Sequence, residues 1–178
     1  MKTIKKYMTC YNKSSLLLFR TEAIKLALET NKNIFPNIIE YNDTYYEYEY
    51  IEGKNLDEYL LETGDYDFAR QVVNTLINFL FELGKHRITF NGQEYILCAD
   101  DIHDNNIIVD PQNNFYLVDL DQLCWVHKFV YFKILQDSVI RICDSIRYIL
   151  IDNNRKVLDN KYRQQIKILN SKLEELQN

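Results

Sequence analysis

Acidic and amide side chains stand at the ends of two short apolar runs in residues 100–122, DDIHDNNIIVDPQNNFYLVDLDQ. Four residues separate Asp101 from Asn106, while Asp119 and Asp121 follow the run FYLV. Phosphoryl transfer uses one carboxylate to orient the attacking hydroxyl, and a second carboxylate with an asparagine oxygen to hold Mg²⁺ against the phosphates. The pattern therefore predicts a metal and phosphate site. The alternative interpretation is a solvated hairpin with polar ends.

The apolar runs are the elements that must position these polar residues. IIV and FYLV flank the turn-rich sequence PQNN, which predicts a hairpin. Packing of the two runs in the core would hold the polar ends in fixed positions. Just upstream, EYILCA predicts a short strand that leads into the same stretch.

The first third of the chain predicts three strands and one helix. Residues 2–8 are strand-like. Apolar residues recur at helical spacing in residues 15–30, and Ser14 or Ser15 is the candidate N-cap of this helix. NIIEY and TYYEYEYI predict two further strands joined by an Asn-Asp turn. In the second of these strands, alternation of the side chains places Tyr46, Tyr48 and Tyr50 on one face. We expect these tyrosines to pack in the sheet rather than to form a ligand cage.

In the rest of the chain, the sequence predicts helices before and after the hairpin. Helical patterns cover residues 55–62, 66–83, 129–150 and 160–177. The order of strand, helix, two strands and then mainly helices indicates the α+β class.

Charge and composition exclude several classes of protein. The formal net charge of −5 argues against nucleic-acid binding, which needs a basic face. The four cysteines are far apart, which favours reduced core thiols over disulfides or zinc. No apolar run has the length of a membrane span or of a signal peptide. We expect a cytoplasmic protein, or one delivered elsewhere by a signal that the sequence does not reveal.

At this point the motifs resemble a known family. DDIHDNNIIVD resembles the catalytic loop of the protein-kinase-like superfamily, in the form found in aminoglycoside and choline phosphotransferases and in lipopolysaccharide-core sugar kinases. FYLVDLDQ resembles the metal-binding segment of the same families. The resemblance implies that His103 stabilises the loop and that Asp101 is the catalytic base. The implied Mg²⁺ ligands are Asn106, Asp119 and the additional acid Asp121.

A less specific resemblance extends upstream. YYEYEYIEGKNLDEYL resembles the last strand of the kinase N-lobe, the hinge and the first helix of the C-lobe. Glu22 is then the glutamate that pairs with the phosphate-binding lysine. Lys5 is the first candidate for that lysine and Lys6 is the other, because the sequence does not fix which side of the strand each one faces. Adenine would contact backbone groups at the hinge, namely those of Glu49, Tyr50 and Ile51.

The resemblance implies a two-lobed protein-kinase-like fold with a truncated N-lobe (residues 1–53) and a mainly helical C-lobe (residues 54–178). No glycine precedes Gly53, so the Gly-rich loop and its two strands have no counterpart. The chain is then a fragment, a minimal kinase with an open phosphate site, or a degenerate relative. In addition, Ala99 and Asp100 stand where many relatives have His-Gly.

Two functions from different classes follow. The first is an ATP- and Mg²⁺-dependent phosphotransferase that acts on a hydroxyl, with a sugar or small-molecule acceptor favoured over protein Ser or Thr. The second is a catalytically inactive kinase-like module that binds or regulates a partner. The expected partners of the enzyme are a nucleotide and the acceptor, without nucleic acid or a membrane span. The sequence leaves the oligomeric state open.

Overall fold

The computed structural model describes residues 2–7, 15–16, 19–100 and 102–151, and the predicted helix at 160–177 lies outside this part. Four helices are described: α1 (Arg20–Asn31), α2 (Leu56–Thr63), α3 (Tyr66–Leu83) and α4 (Lys128–Ile151). The strands of the N-terminal part are β1 (Thr3–Tyr7), β2 (Ser15–Leu16), β3 (Ile38–Tyr41), β4 (Tyr45–Glu49) and β5 (Lys54–Asn55). They are followed by β6 (Arg87–Phe90), β7 (Gln93–Ala99), β8 (Ile107–Val109), β9 (Phe115–Leu117) and β10 (Leu123–His127). Short 3₁₀ turns cover Lys32–Ile34 and Asp104–Asn106.

Among the described residues, the strands form three small antiparallel sheets. Their orders are β1-β4-β3, β2-β10-β7-β6 and β5-β8-β9. With the four helices, these sheets confirm the α+β class. One continuous cluster of buried apolar side chains contains residues from both predicted lobes, from Ala23 and Tyr46 to Leu120 and Ile142.

The β1–β4 pair has the two-faced character that the alternation predicts for Tyr46 and Tyr48, whereas Tyr50 lies beyond β4 and is exposed. Tyr46 and Tyr48 are buried, while the intervening Glu47 is only partly covered. The register sets Lys6 opposite Tyr46 and Ile4 opposite Tyr48. Directly opposed residues lie on the same face of an antiparallel pair. This face therefore combines one lysine with two buried tyrosines.

The helix predicted over residues 15–30 is wrong at its start. Ser15–Leu16 pair with β10 as a short strand, and α1 begins at Arg20. Phe19 occupies the N-cap position in a left-handed conformation and makes no side-chain cap. Pairing with β10 is a long-range interaction, which local helical spacing does not contain.

Asp43, in the turn between β3 and β4, supplies the missing cap. Its Oδ1 accepts hydrogen bonds from the Thr21 N–H at 2.9 Å and from the Thr21 hydroxyl at 2.7 Å. The hydrogen bonds from Thr21 lower the pKa of Asp43 below its ordinary value. A lowered pKa stabilises the fold only while the carboxylate is ionised, so this contribution is lost as pH falls through the folded-state pKa.

We expect Asp43→Ala to reduce the free energy of unfolding by about 1 kcal/mol at pH 7, the usual cost of a lost cap. Urea denaturation at neutral and acidic pH measures the effect. The wild type and the variant should converge only as the pH falls below the lowered pKa of folded Asp43, where this carboxyl is protonated in both folded and unfolded chains. Glu29→Ala, an exposed acid on the same helix, is the control. A difference that persists unchanged in acid would contradict the capping role.

Four strands were not predicted: β2, β5, β6 and β10. β6 was missed altogether, and it pairs with β7 through a turn at Asn91 and Gly92, whose φ angles are 51° and 75°. Such a turn matches the twist of a hairpin and is typical of Asn-Gly. β10 lies in the part after residue 122 that was predicted to be helical, and instead it pairs with β2 and β7 in the same sheet.

The helices α3 and α4 cover this sheet. The predicted stripe of α3 is buried as expected, and Gly84 caps its end by donating its N–H to the Leu80 carbonyl at 3.1 Å. A Cβ at Gly84 would lie 1.7 Å from the Tyr131 hydroxyl of α4, so only glycine allows this close approach. None of the helices in the described part is long and apolar enough to cross a membrane.

Candidate functional site

The hairpin of β8 and β9 brings two predicted metal ligands together. Ile107 pairs with Leu117, and the Val118 N–H donates to the Asn106 carbonyl at 2.9 Å. Asn106 is buried and precedes β8, while Asp119 follows Val118. The pairing therefore places the two residues at the same end of the hairpin, as the sequence predicted.

The other end of the hairpin is fixed by Asp110. Its carboxylate accepts hydrogen bonds from the Gln112 and Asn114 N–H groups at 2.9 Å and 2.8 Å, and from the Asn114 amide at 2.9 Å. Burial acts to raise the pKa of Asp110, but these hydrogen bonds outweigh it and the pKa is lowered. Asp110 is therefore a turn residue, and it sets the hairpin register on which the opposite end depends.

Asp119 is a mostly buried carboxylate with cationic and hydroxyl neighbours. Its side chain is 15% exposed, with the Lys6 Nζ 3.5 Å from Oδ1. The Tyr46 hydroxyl lies 3.3 Å from the same oxygen. Burial acts to raise the pKa of Asp119. A hydrogen bond from Asp121, the Lys6 charge and the Tyr46 hydroxyl overcome it and lower the pKa. The carboxylate is thus held in its charged form.

Asp121 is close enough to Asp119 to help lower its pKa. Two neighbouring carboxylates repel each other unless a proton or a cation lies between them. A divalent cation would satisfy the pair. The intervening Leu120 is buried, so the Asp-Leu-Asp sequence alternates between the core and the site.

The structure distinguishes the two lysine candidates. Lys5 lies on the outer face of β1, where its Nζ is 3.4 Å from the centre of the Tyr45 ring. Lys6 lies on the inner face and reaches Asp119. The alternation of β1 makes the two lysines point to opposite sides. Lys5, the first candidate, is therefore turned away from Asp119, and Lys6 is the lysine beside it.

Glu22 is not brought to either lysine. It occupies the exposed face of α1, with 49% of its side chain accessible, and its Oε1 is 3.9 Å from the Lys25 Nζ. The buried face of α1 consists of Arg20, Ala23, Ile24 and Ala27. Glu22 is thus placed as a surface residue, and the predicted Lys–Glu pair is not formed among the described residues.

Glu49, Tyr50 and Ile51 form the segment that leaves β4. The Glu49 N–H donates to the Asn37 carbonyl and the Tyr50 N–H to the Lys2 carbonyl, both at 3.0 Å. Among the described residues, none accepts a hydrogen bond from the Ile51 N–H. Gly53 then passes so close to β8 that a Cβ would lie 2.3 Å from the Val109 carbonyl oxygen. The segment therefore packs directly on the hairpin that carries the site.

Asp101 lies outside the described residues, but the chain on both sides of it is described. The Ala99 carbonyl accepts a hydrogen bond from the buried Ser138 hydroxyl of α4 at 3.1 Å. The Asp100 N–H donates to the Gln122 carbonyl at 3.0 Å, which ties this strand end to the segment after Asp121. The His103 carbonyl accepts from the Asn106 N–H at 3.0 Å, so this loop is stabilised through its backbone.

Two residues of the site were missed in the sequence. Tyr46 was assigned to strand packing, which its burial confirms, yet its hydroxyl also contacts the segment around Asp119. Ser138 was hidden in an apolar helical pattern. A serine inside such a pattern is a signal, because a buried hydroxyl needs a hydrogen-bond partner.

Oxygen atoms of Asp119, Asp121 and Asn106 suit a hard cation such as Mg²⁺, because all three are oxygen ligands and two are acidic. Within the part of the chain that the structure describes, no three His, Cys, Asp or Glu side chains are grouped so that they could hold a metal ion. Asparagine does not belong to that class, and two acids with one amide are what this hairpin end offers. No protein-family model matches the chain, and no curated protein matches it significantly.

Proposed function

We propose that the protein is an ATP- and Mg²⁺-dependent phosphotransferase that transfers the γ-phosphate to a hydroxyl group. The observation that carries the proposal is the hairpin end at which Asn106 and Asp119 are adjacent and the Lys6 Nζ lies 3.5 Å from Asp119. Metal ligands and a phosphate-binding cation are the parts that phosphoryl transfer needs at one point. A sugar or other small alcohol is the favoured acceptor, because of the resemblance to the small-molecule phosphotransferases.

Each residue has a separate role in this proposal. Asp101 orients the acceptor hydroxyl and takes its proton. Asn106, Asp119 and Asp121 hold the metal, which when bound neutralises phosphate charge. Lys6 binds the phosphates in place of Lys5, since the strand directs it to the site. Its contact with Asp119 keeps its ammonium group beside the metal ligands.

The proposed nucleotide position follows from the hinge. The Ile51 N–H donates to none of the described residues and suits a hydrogen bond to adenine, and residues 50–53 lie between β4 and the hairpin. In this proposal β1, β3 and β4 represent a reduced N-lobe, and the remainder is the C-lobe. Cys98 and Cys143 are buried free thiols, which fits a cytoplasmic enzyme.

A thermal-shift assay tests the proposal. A ligand that binds the folded state at 100 times its Kd stabilises it by about 2.7 kcal/mol, which raises the melting temperature by roughly 5–10 °C for a chain of this size. We expect that increase with ATP and Mg²⁺ together, and a much smaller one with ATP and a chelator. No increase in either condition would contradict the proposal.

Lys6→Met and Lys5→Met form a matched pair of variants. The methionine keeps the apolar stem and removes the charge. We expect Lys6→Met to weaken Mg²⁺·ATP binding by about 10- to 100-fold, the range for a hydrogen bond to a charged group. Lys5→Met should stay within about twofold, because exposed charges contribute little. Isothermal titration measures both. If Lys5→Met loses more affinity for Mg²⁺·ATP than Lys6→Met does, Lys5 is the phosphate-binding lysine.

A non-catalytic binding module is the second candidate, and two observations favour it. The Lys6 ammonium beside Asp119 is an internal cation that can neutralise the carboxylate without a metal. In addition, Glu22 is turned to the surface, away from Lys6. A protein of this kind would show no Mg²⁺-dependent stabilisation by ATP, so the same thermal-shift assay separates the two candidates.

A further inference from the structure

The Tyr46 side chain connects β4 to the segment that carries Asp119. It is fully buried, and its hydroxyl accepts a hydrogen bond from the Leu120 N–H at 3.0 Å. The same hydroxyl lies 3.2 Å from the Val118 carbonyl and 3.3 Å from Asp119 Oδ1. One side chain thus contacts three consecutive residues of the segment.

A hydroxyl has one hydrogen to donate and can accept with its lone pairs. Tyr46 therefore accepts from Leu120 and donates either to the Val118 carbonyl or to the Asp119 carboxylate. A tyrosine phenol is neutral at working pH, so the Tyr46 hydroxyl keeps its hydrogen. When Asp119 has another electropositive partner, the hydrogen can turn to Val118 while the bond from Leu120 holds the backbone.

Tyr48 shows that packing alone does not require these contacts. It is also buried, on the same face of β4, and its ring stacks on Tyr46 with centroids 5.7 Å apart and an interplanar angle of 18°. Among the described residues, none is hydrogen bonded to the Tyr48 hydroxyl. The two tyrosines differ in their hydroxyl contacts rather than in their surroundings.

Tyr46 is also paired with Lys6, the proposed phosphate-binding lysine. Lys6 is directly opposite Tyr46 in the β1–β4 pair, and both reach the same Asp119 oxygen. The inner face of this strand pair therefore supplies one charged and one neutral contact to that carboxylate. We propose that Tyr46 is a positioning residue that fixes residues 118–120 so that the Asp119 carboxylate is directed towards Mg²⁺. This role rests on the proposed phosphotransferase function.

Tyr46→Phe and Tyr48→Phe test the role, since each removes a single oxygen atom and keeps the ring. ATP binding is measured by isothermal titration over a series of Mg²⁺ concentrations and in a chelator. We expect Tyr46→Phe to raise the Mg²⁺ concentration for half-maximal binding by about 10- to 100-fold, the usual effect of losing a residue that orients a metal ligand. ATP binding in the chelator should be unchanged, and Tyr48→Phe should resemble the wild type in both conditions.

The outcomes separate the positioning role from the function. A wild-type protein without Mg²⁺-dependent ATP binding overturns both. Normal wild-type binding with an unchanged Tyr46→Phe variant overturns the positioning role alone, as does an equal shift in Tyr48→Phe, which would indicate ring packing.

A second measurement needs no variant and therefore does not depend on whether Tyr46→Phe folds. Amide hydrogen exchange of the wild type should show a protected Leu120 N–H, because Tyr46 accepts its hydrogen bond in the core. A Leu120 amide that exchanges at the rate of an unprotected amide would overturn the contact on which the role depends.

Discussion

Asp119→Asn is expected to remove the Mg²⁺-dependent part of ATP binding. Asparagine preserves the shape of the side chain and one carbonyl oxygen, but it lacks the charge that a hard cation requires. Loss of a residue that only orients a metal ligand costs about 10- to 100-fold in metal affinity, so loss of a ligand should cost at least ~100-fold. Isothermal titration with and without Mg²⁺ measures the difference. ATP binding in the presence of a chelator should change little.

Asp67→Asn is the matched control for this change. Asp67 lies in the first turn of α3, is 90% exposed and pairs with Arg70, so its substitution alters the net charge without touching the hairpin. Mg²⁺-dependent binding that survives in Asp119→Asn would move the metal site elsewhere. If the wild type does not bind ATP, the non-catalytic binding module with a protein partner is the better candidate.

Asp101→Ala is expected to abolish phosphoryl transfer and to leave nucleotide binding nearly intact. A general base typically contributes about 10²- to 10⁴-fold to the rate, whereas it contacts the acceptor hydroxyl rather than the nucleotide. Formation of ADP with a panel of sugars and small alcohols measures transfer, and isothermal titration measures binding. The two measurements together distinguish a lost base from a lost nucleotide site.

Asp100→Ala provides the comparison for this variant, because it removes the neighbouring acid of the same DD pair. The Asp100 backbone is tied to the Gln122 carbonyl, and this hydrogen bond remains in the variant. Transfer should therefore persist in Asp100→Ala. If Asp101→Ala retains full activity, the assignment of the base is wrong, and loss of transfer in Asp100→Ala instead would place the base one residue earlier.

Local patterns were sufficient to predict the parts of the fold that local interactions determine. The side chains of β4 alternate between two faces, and the apolar residues of α3 recur at helical spacing. The structure retains both patterns, and it forms the hairpin from the two apolar runs. A hairpin necessarily brings the residue before its first strand close to the residues that follow its second strand. For that reason the proximity of Asn106 and Asp119 could be predicted from the turn alone.

Long-range contacts account for what could not be predicted. The start of α1 depends on β10 and on a cap from Asp43, which is 22 residues away from Thr21 in sequence. Whether Lys5 or Lys6 faces inward depends on how β1 lies against β4 and the hairpin. The β6–β7 hairpin is different, because its Asn91-Gly92 turn signal was present in the sequence and was overlooked.

The hydrogen bonds of Tyr46 have a consequence for how the protein folds. They join residues 72 to 74 positions apart, and contacts of that separation form only after a long loop has closed. The β8–β9 hairpin can form early from its own turn, but its polar end gains its partners only when β4 docks on it. Asp119 is therefore fixed in place late in folding, and a nascent chain that has not yet reached residue 120 lacks the site.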